Sequence, residues 1–200
     1  MADSRTAPKQ ERARRTRAHI LAMAAQLFAE RGYAKVSLQD VAELAAMTKG
    51  AVYFHYKNKE DLAIAVVEAH YARWPVLLAE VATDELPAYE ALVTILDRVS
   101  EAFRGDVVVQ AGARLQIERS LIDADLPEPY IGWEDYLTRL VEAVEEAGEL
   151  RDGVTPRSAA RVLVSAFFGM QHISDVLSER KDLPARYEEL RTVVLEGLRR

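Results

Sequence analysis

Apolar residues recur along this chain at intervals of three and four, the repeat of a helix with one buried face. Ile20, Ala24, Leu27 and Phe28 form one stripe, Leu62, Ala65, Val66 and Ala69 a second, and Leu92, Ile95, Leu96, Val99 and Phe103 a third. Trp133, Leu137, Leu140, Val141 and Val144 make a fourth, and Tyr187, Leu190, Val194 and Leu198 the last. No stretch alternates apolar and polar residues between hairpin turns, so the pattern predicts an all-α chain. Gly32 can close the first long helix in a left-handed conformation. Ser37 with Asp40, Thr48, and Asn58 with Asp61 are N-cap candidates roughly ten residues apart. They leave room for two short helices near 38–46 and 49–55 before a long one from about 59 to 73. Pro75, Pro87, Pro127, Pro129, Pro156 and Pro184 divide the remainder into helices near 89–104, 106–121, 131–148, 156–179 and 185–199, about nine in all.

Composition narrows the chemistry. The chain has 200 residues, 50% hydrophobic and 29% charged, enough for a sizeable core. It has no cysteine, which excludes disulfides, thiolate metal sites and cysteine nucleophiles. His19, His55, His70 and His172 are scattered without ligand spacing, and G-x-S-x-G, H-E-x-x-H and Walker patterns are absent. No metal, cofactor or enzymatic activity is expected. No apolar run approaches the roughly 20 residues of a membrane span, and Met1 to Arg5 lack the apolar core of a signal peptide, so a cytoplasmic protein is expected.

Charge is divided unevenly. Residues 1–60 carry 5 Lys and 6 Arg against 2 Asp and 4 Glu, a net +5 in a chain whose total is -6, which leaves -11 on the remainder. A basic head on an acidic body points to a polyanionic partner at one end. Two short helices joined by a tight turn after a longer one have the shape of a helix-turn-helix. In the first, Leu38, Val41, Leu44 and Ala45 supply the buried face. The second reads Thr48-Lys49-Gly50-Ala51-Val52-Tyr53-Phe54-His55-Tyr56, with Ala51, Val52 and Phe54 available to the core. Gly50 weakens a helix, so either close helix packing or the approach of a phosphate backbone should require it. Tyr53 and Tyr56 can serve as half-buried core or as contacts. Lys9, Arg12, Arg14, Arg15 and Arg17 face a single Glu11 at the start of a helix, where cations oppose the helix dipole; phosphates would repay them.

These residues resemble a known family. Leu27-Phe28-Ala29-Glu30-Arg31-Gly32-Tyr33, Val41-Ala42, the run from Thr48 to Tyr56, and Lys59-Glu60-Asp61-Leu62 are similar to the amino-terminal DNA-binding domain of TetR-family transcriptional regulators. The resemblance covers roughly residues 15–65. It implies a homodimer with a DNA-binding domain over 1–60 and a ligand-binding and dimerisation domain over 61–200. It implies a double-stranded operator as partner, contacted at Ser37, Thr48, Lys49, Gly50, Tyr53, His55, Tyr56 and Lys59.

The body is read separately. Residues 156–179 are apolar on more than one face, through Val162, Leu163, Ala166, Phe167, Phe168, Met170, Ile173, Val176 and Leu177. Such a helix needs cover on two sides, and a four-helix dimer bundle from the last two helices of each chain supplies it. Val107-Val108-Val109-Gln110-Ala111-Gly112-Ala113-Arg114-Leu115, Gly132-Trp133-Glu134 and Ser165-Ala166-Phe167-Phe168-Gly169-Met170-Gln171 resemble the γ-butyrolactone receptor branch of actinobacterial hormone-responsive repressors. That resemblance implies a signal pocket lined by Trp133, with His70 and Ser165 at its polar positions. Gln110, Gln116, Tyr89 and Tyr130 are further candidates from spacing, and Phe168 belongs to the matching motif. The expected ligand is a small neutral amphiphile: a γ-butyrolactone, a butenolide or an alkylfuran. A multidrug sensor of lipophilic cations, controlling an efflux gene, is the alternative; it would need carboxylates inside the cavity, with Glu118, Asp123 and Asp175 as the candidates.

Overall fold

The computed structural model describes residues 6–81 and 86–200, with side chains omitted at 6–9 and 80–81. Met1 to Arg5 and the side chain of Lys9 therefore lie outside the described residues. The helices are α1 (Thr6–Arg31), α2 (Leu38–Leu44), α3 (Lys49–His55), α4 (Lys59–Tyr71), α5 (Arg73–Val81), α6 (Ala88–Gly105), α7 (Val107–Ile117), α8 (Ile131–Glu146), α9 (Pro156–Ser178) and α10 (Leu183–Leu190). Beyond α10 the chain continues as a π-helical turn over Arg191–Leu195 and a last α turn over Glu196–Leu198. Among the described residues there is no strand, only one antiparallel bridge between Leu150 and Arg199.

Local chemistry sets the boundaries. Ser37 and Asp40 form a reciprocal capping box at α2, Thr48 accepts from the Ala51 amide at α3, and Asn58 accepts from the Asp61 amide at 2.7 Å at α4. Gly32 takes φ +78° and returns its amide to Phe28 O at 3.0 Å, ending α1. Pro75, expected as a break, instead lies in the first turn of α5, where its missing amide proton costs nothing; the interruption falls at Ala72.

The chain forms two compact units. The first comprises residues 1–74 and 106–127. In it α1 and α4 pack on α7, with Phe28, Val41, Val52, Leu62, Val66, Ala111 and Leu115 among the core residues. Packing thus draws α4 and residues 106–127 together with the helix-turn-helix. The second comprises residues 75–105 and 128–200, where α6, α8, α9 and α10 bury Leu92, Val99, Phe103, Leu137, Leu163, Phe167 and Leu195. One stretch, Lys59–Ala79, has the length and composition of a membrane span, contrary to the expectation from apolar runs. It is two helices, and Leu62, Ala63, Val66 and Val67 of α4 are buried in the first unit's core.

Two apolar expectations are corrected. Leu44, assigned to the buried face of α2, is 41% exposed. In the C-terminal helix the expected stripe runs through Val194, but Leu195 is the fully buried residue and Val194 only half-buried. The π-helical turn inserts one residue into the repeat and moves the inward register on by one.

Candidate nucleic-acid interface and ligand-binding residues

Seven residues make α3, and only Val52 among them is fully buried. Around that anchor the helix is open: Thr48, Lys49, Gly50, Tyr53 and Phe54 are exposed and His55 is half-buried. The Lys49 ammonium sits over the Tyr53 ring, 5.6 Å from its centroid, and His55 meets Phe54 edge to face at 5.2 Å. Ser37 is exposed at the N-terminus of α2, its hydroxyl donating to Asp40 Oδ2 at 2.5 Å. These bonds hold Asp40 below the usual carboxylate range. Gly50 loses one of its two readings. A Cβ built there meets nothing within 4 Å, so packing inside this chain does not require the glycine. The missing side chain leaves room for something outside it.

Three residues of this surface depart from expectation. Phe54, assigned to the core, is 83% exposed, because it stands about 200° around the helix from Val52. Sequence reasoning missed it as a surface aromatic; the signal was its place between Tyr53 and His55. Tyr56, expected at the duplex, is 2% exposed, beneath the Arg17 guanidinium at 5.3 Å, and burial raises its pKa. Its ring is core. Lys59 is half-committed inside the fold: its ammonium donates to Tyr33 O at 3.1 Å and lies 3.9 Å from the Tyr33 ring centroid. Of the leading cations, Arg14 and Arg15 both reach Glu11 at 2.8 Å and remain 79% exposed.

The expected ligand residues fall in both compact units. In the first, His70 is 4% exposed on α4, and its Nδ1 lies 3.1 Å from Val109 O. Burial lowers its pKa to about 4, so the ring is neutral near pH 7 and Nδ1–H donates. Gly112 admits it: a Cβ there would lie 2.3 Å from His70 Cβ. Gln116, 5% exposed on α7, donates from Nε2 to Tyr71 Oη at 3.1 Å and Pro127 O at 3.2 Å, while its Oε1 is buried without a partner. Tyr71 was not singled out from sequence; its position beside His70 on α4 was the available signal. Gln110 is half-buried on the same helix as Gln116.

In the second unit, Trp133 and Phe168 are brought together. With Leu96, Val99, Leu137, Leu163, Val164 and Phe167 they line a wholly apolar void of about 10 Å³, and Tyr130 meets Phe168 with ring centroids 4.7 Å apart. That is roughly the space of one water molecule. Two candidates stand elsewhere. Tyr89 lines a separate, charged cleft of about 720 Å³ with Arg191, Arg199 and Asp97. Ser165 is exposed on α9 and does not line the apolar void. The outward side of α9 also shows Val162, Ile173, Val176 and Leu177, at 52%, 46%, 67% and 70% exposure. The carboxylates that a cation sensor would need are engaged or outside: Glu118 holds Arg114 at 3.0 Å, Asp175 holds Arg180 at 3.1 Å, and Asp123 is exposed.

Comparison with known proteins gives these surfaces a context. Residues 20–66 match the family described as bacterial regulatory proteins, tetR family. The A-factor receptor protein of Streptomyces griseus is 30% identical over 190 residues, covering 95% of this chain and 66% of that protein, just under two thirds of its length. A structure solved for the molecular basis of control of antibiotic production by bacterial hormones is 53% identical, with a TM-score of 0.85 over 93% of this chain and 98% of that one. A γ-butyrolactone receptor and the TetR-family protein CprB of Streptomyces coelicolor, the latter in complex with its operator, are each 28% identical over 94% of this chain and 90% of theirs. Their TM-scores are 0.80 and 0.83.

Proposed function

The chain belongs to the tetR family of bacterial regulatory proteins, and from that premise we propose a dimeric repressor that leaves its operator when a small neutral amphiphile binds. Residues 1–60 read the duplex and residues 61–200 bind the signal and the second subunit. The observation that carries the DNA part is the open space at Gly50, on a short helix whose Lys49, Tyr53 and Phe54 face outward. Open space at that position lets a phosphate backbone come close, beside a cation and aromatics that can meet it. Two such helices related by a dimer axis fit a near-palindromic operator with half-sites about one helical turn, roughly 34 Å, apart or a multiple of it. Reading a genomic duplex is work done in the cytoplasm.

The ligand class follows from lining chemistry and from relatives that are receptors for A-factor and for γ-butyrolactones. In the second unit an apolar void bounded by Trp133 and Phe168 suits an alkyl chain; in the first, taken by itself, the unpartnered Gln116 Oε1 suits a donor group. Ligands of this kind fill cavities of roughly 300 Å³ or more, so the void must open to admit one. A ligand that binds the opened conformation draws the protein away from the operator-binding one. The exposed apolar side of α9 supports the dimer contact. The test is a gel shift with an operator duplex selected from random-sequence DNA, run with a panel of synthetic γ-butyrolactones, butenolides and alkylfurans and with cationic dyes as the contrast. Release by a neutral compound, lost in Trp133→Ala while operator affinity is kept, supports the reading. Release by cationic dyes alone would replace it with the multidrug sensor.

A further inference from the structure

Helix α7 is joined to the end of α1 by a charged pair. Arg114 donates from Nη1 to Ala29 O at 2.9 Å and Glu30 O at 3.3 Å, two carbonyls in the last turn of α1. Its Nε donates to Glu118 Oε1 at 3.0 Å, and Glu118 Oε2 accepts the Tyr33 amide at 2.6 Å. Gly32 fits this contact twice over: its φ is +78°, and a Cβ there would lie 2.5 Å from Glu118 Oε1. The connection continues into the DNA-reading part. Tyr33 Oη donates to Glu60 Oε1 at 2.6 Å, and Lys59 donates to Tyr33 O, both residues lying in the first turn of α4 directly after α3.

Stability alone does not call for this pair. The left-handed Gly32 closes α1 on Phe28 O, and the Ala29 and Glu30 carbonyls that this leaves open need only water, not a charged pair drawn from another helix. Arg114 and Glu118 are only 28% and 22% exposed, so they give up much of their hydration to bond mostly to backbone atoms. Such bonds are directional and fix register more than they add stability. Helical spacing places Gly112 and Gln116 about 160° around α7 from Arg114 and Glu118. The side of α7 that meets His70 and Tyr71 is therefore opposite the side that holds α1.

We propose that Arg114 and Glu118 are positioning residues that couple α7 to the operator-reading helices, so that a ligand acting on the Gln116 side of α7 re-aims α2 and α3 through the end of α1. The inference rests on the function proposed above. Its test uses the full chain with a selected operator duplex and hydrogen exchange of α7, residues 107–117. In the wild-type protein the duplex should slow exchange in α7 by at least about fivefold, the low end of ordinary coupling between sites. In Arg114→Met, which keeps the apolar stem, and in Glu118→Gln, α3 should still be protected by the duplex while α7 exchange changes less than about twofold. Loss of operator binding by variants that keep their helical circular dichroism and oligomeric state also supports the tie, since the helices are then misaimed. Equal protection of α7 in wild type and variants, no protection in wild type, or unfolding of both variants overturns it. Failure of the wild-type protein to bind any duplex sinks the underlying reading instead.

Discussion

A methyl group added at Gly50 meets nothing within 4 Å, whereas at Gly112 it lands 2.3 Å from His70 Cβ. Packing inside the chain therefore requires the second glycine and not the first. Gly50→Ala should raise stability by about 0.5 kcal/mol, since alanine favours the helix and the site is near its first turn, while operator affinity falls. Urea denaturation and a gel shift read the two effects, and unchanged affinity would remove Gly50 from the interface. Gly112→Ala should cost about 1–3 kcal/mol by overpacking against His70. That histidine carries a pH dependence of its own. Its folded pKa of about 4 lies below the unfolded value near 6.5, so the unfolded chain binds the extra proton between these values. Stability is whole above about pH 6.5 and falls as the pH drops toward 4, by about 2–3 kcal/mol. His70→Gln should flatten the slope of unfolding free energy between pH 6.5 and 4, and an unchanged slope would place the proton uptake elsewhere.

At the scale of elements, α9 is the helix whose two sides do different work. Leu163, Phe167, Gln171 and Ser174 are buried in its own unit, while Val162, Ile173, Val176 and Leu177 face outward. Replacing Val176 and Leu177 together by Glu should leave the fold intact, because neither side chain is in the core, and shift the protein from dimer to monomer in sedimentation. A dimer surviving that pair would move the interface off this face. The helices themselves were legible in the sequence because capping and period-3.6 spacing are local: Ser37, Thr48 and Asn58 cap the helices they were expected to cap. Ser165 was not legible, since a helix apolar on both sides gives no sign of which side turns inward. Phe54 was misread for a related reason. A seven-residue helix fixed by Val52 alone leaves its remaining aromatics to geometry, and hydrophobicity by itself points the wrong way. The π-helical turn after α10 left no trace in the apolar pattern except a stripe that is wrong by one residue.

Across the whole molecule the charge is partitioned, +5 on residues 1–60 and -11 on the rest, so duplex binding has to be won locally against an acidic remainder. Binding carried by a few cations releases a few counterions, and the dependence of log affinity on log salt counts them at about 0.9 per phosphate neutralised. Lys49 and Lys59 looked alike in the sequence but hold different positions. Lys49 is exposed, its ammonium over the Tyr53 ring, whereas the Lys59 ammonium is bonded to Tyr33 O and stacked on its ring. Lys49→Ala in a dimer should therefore weaken operator binding and lower the salt slope by about 2, one contact from each subunit. Lys59→Ala should change the slope less and show up first as lost stability, because it removes the cation between the end of α1 and the start of α4. Gel shifts from 50 to 200 mM salt, paired with urea denaturation of each variant, separate these outcomes. Equal loss of slope in both variants would mean that Lys59 leaves Tyr33 for the duplex, and no loss in either would take α3 out of the groove.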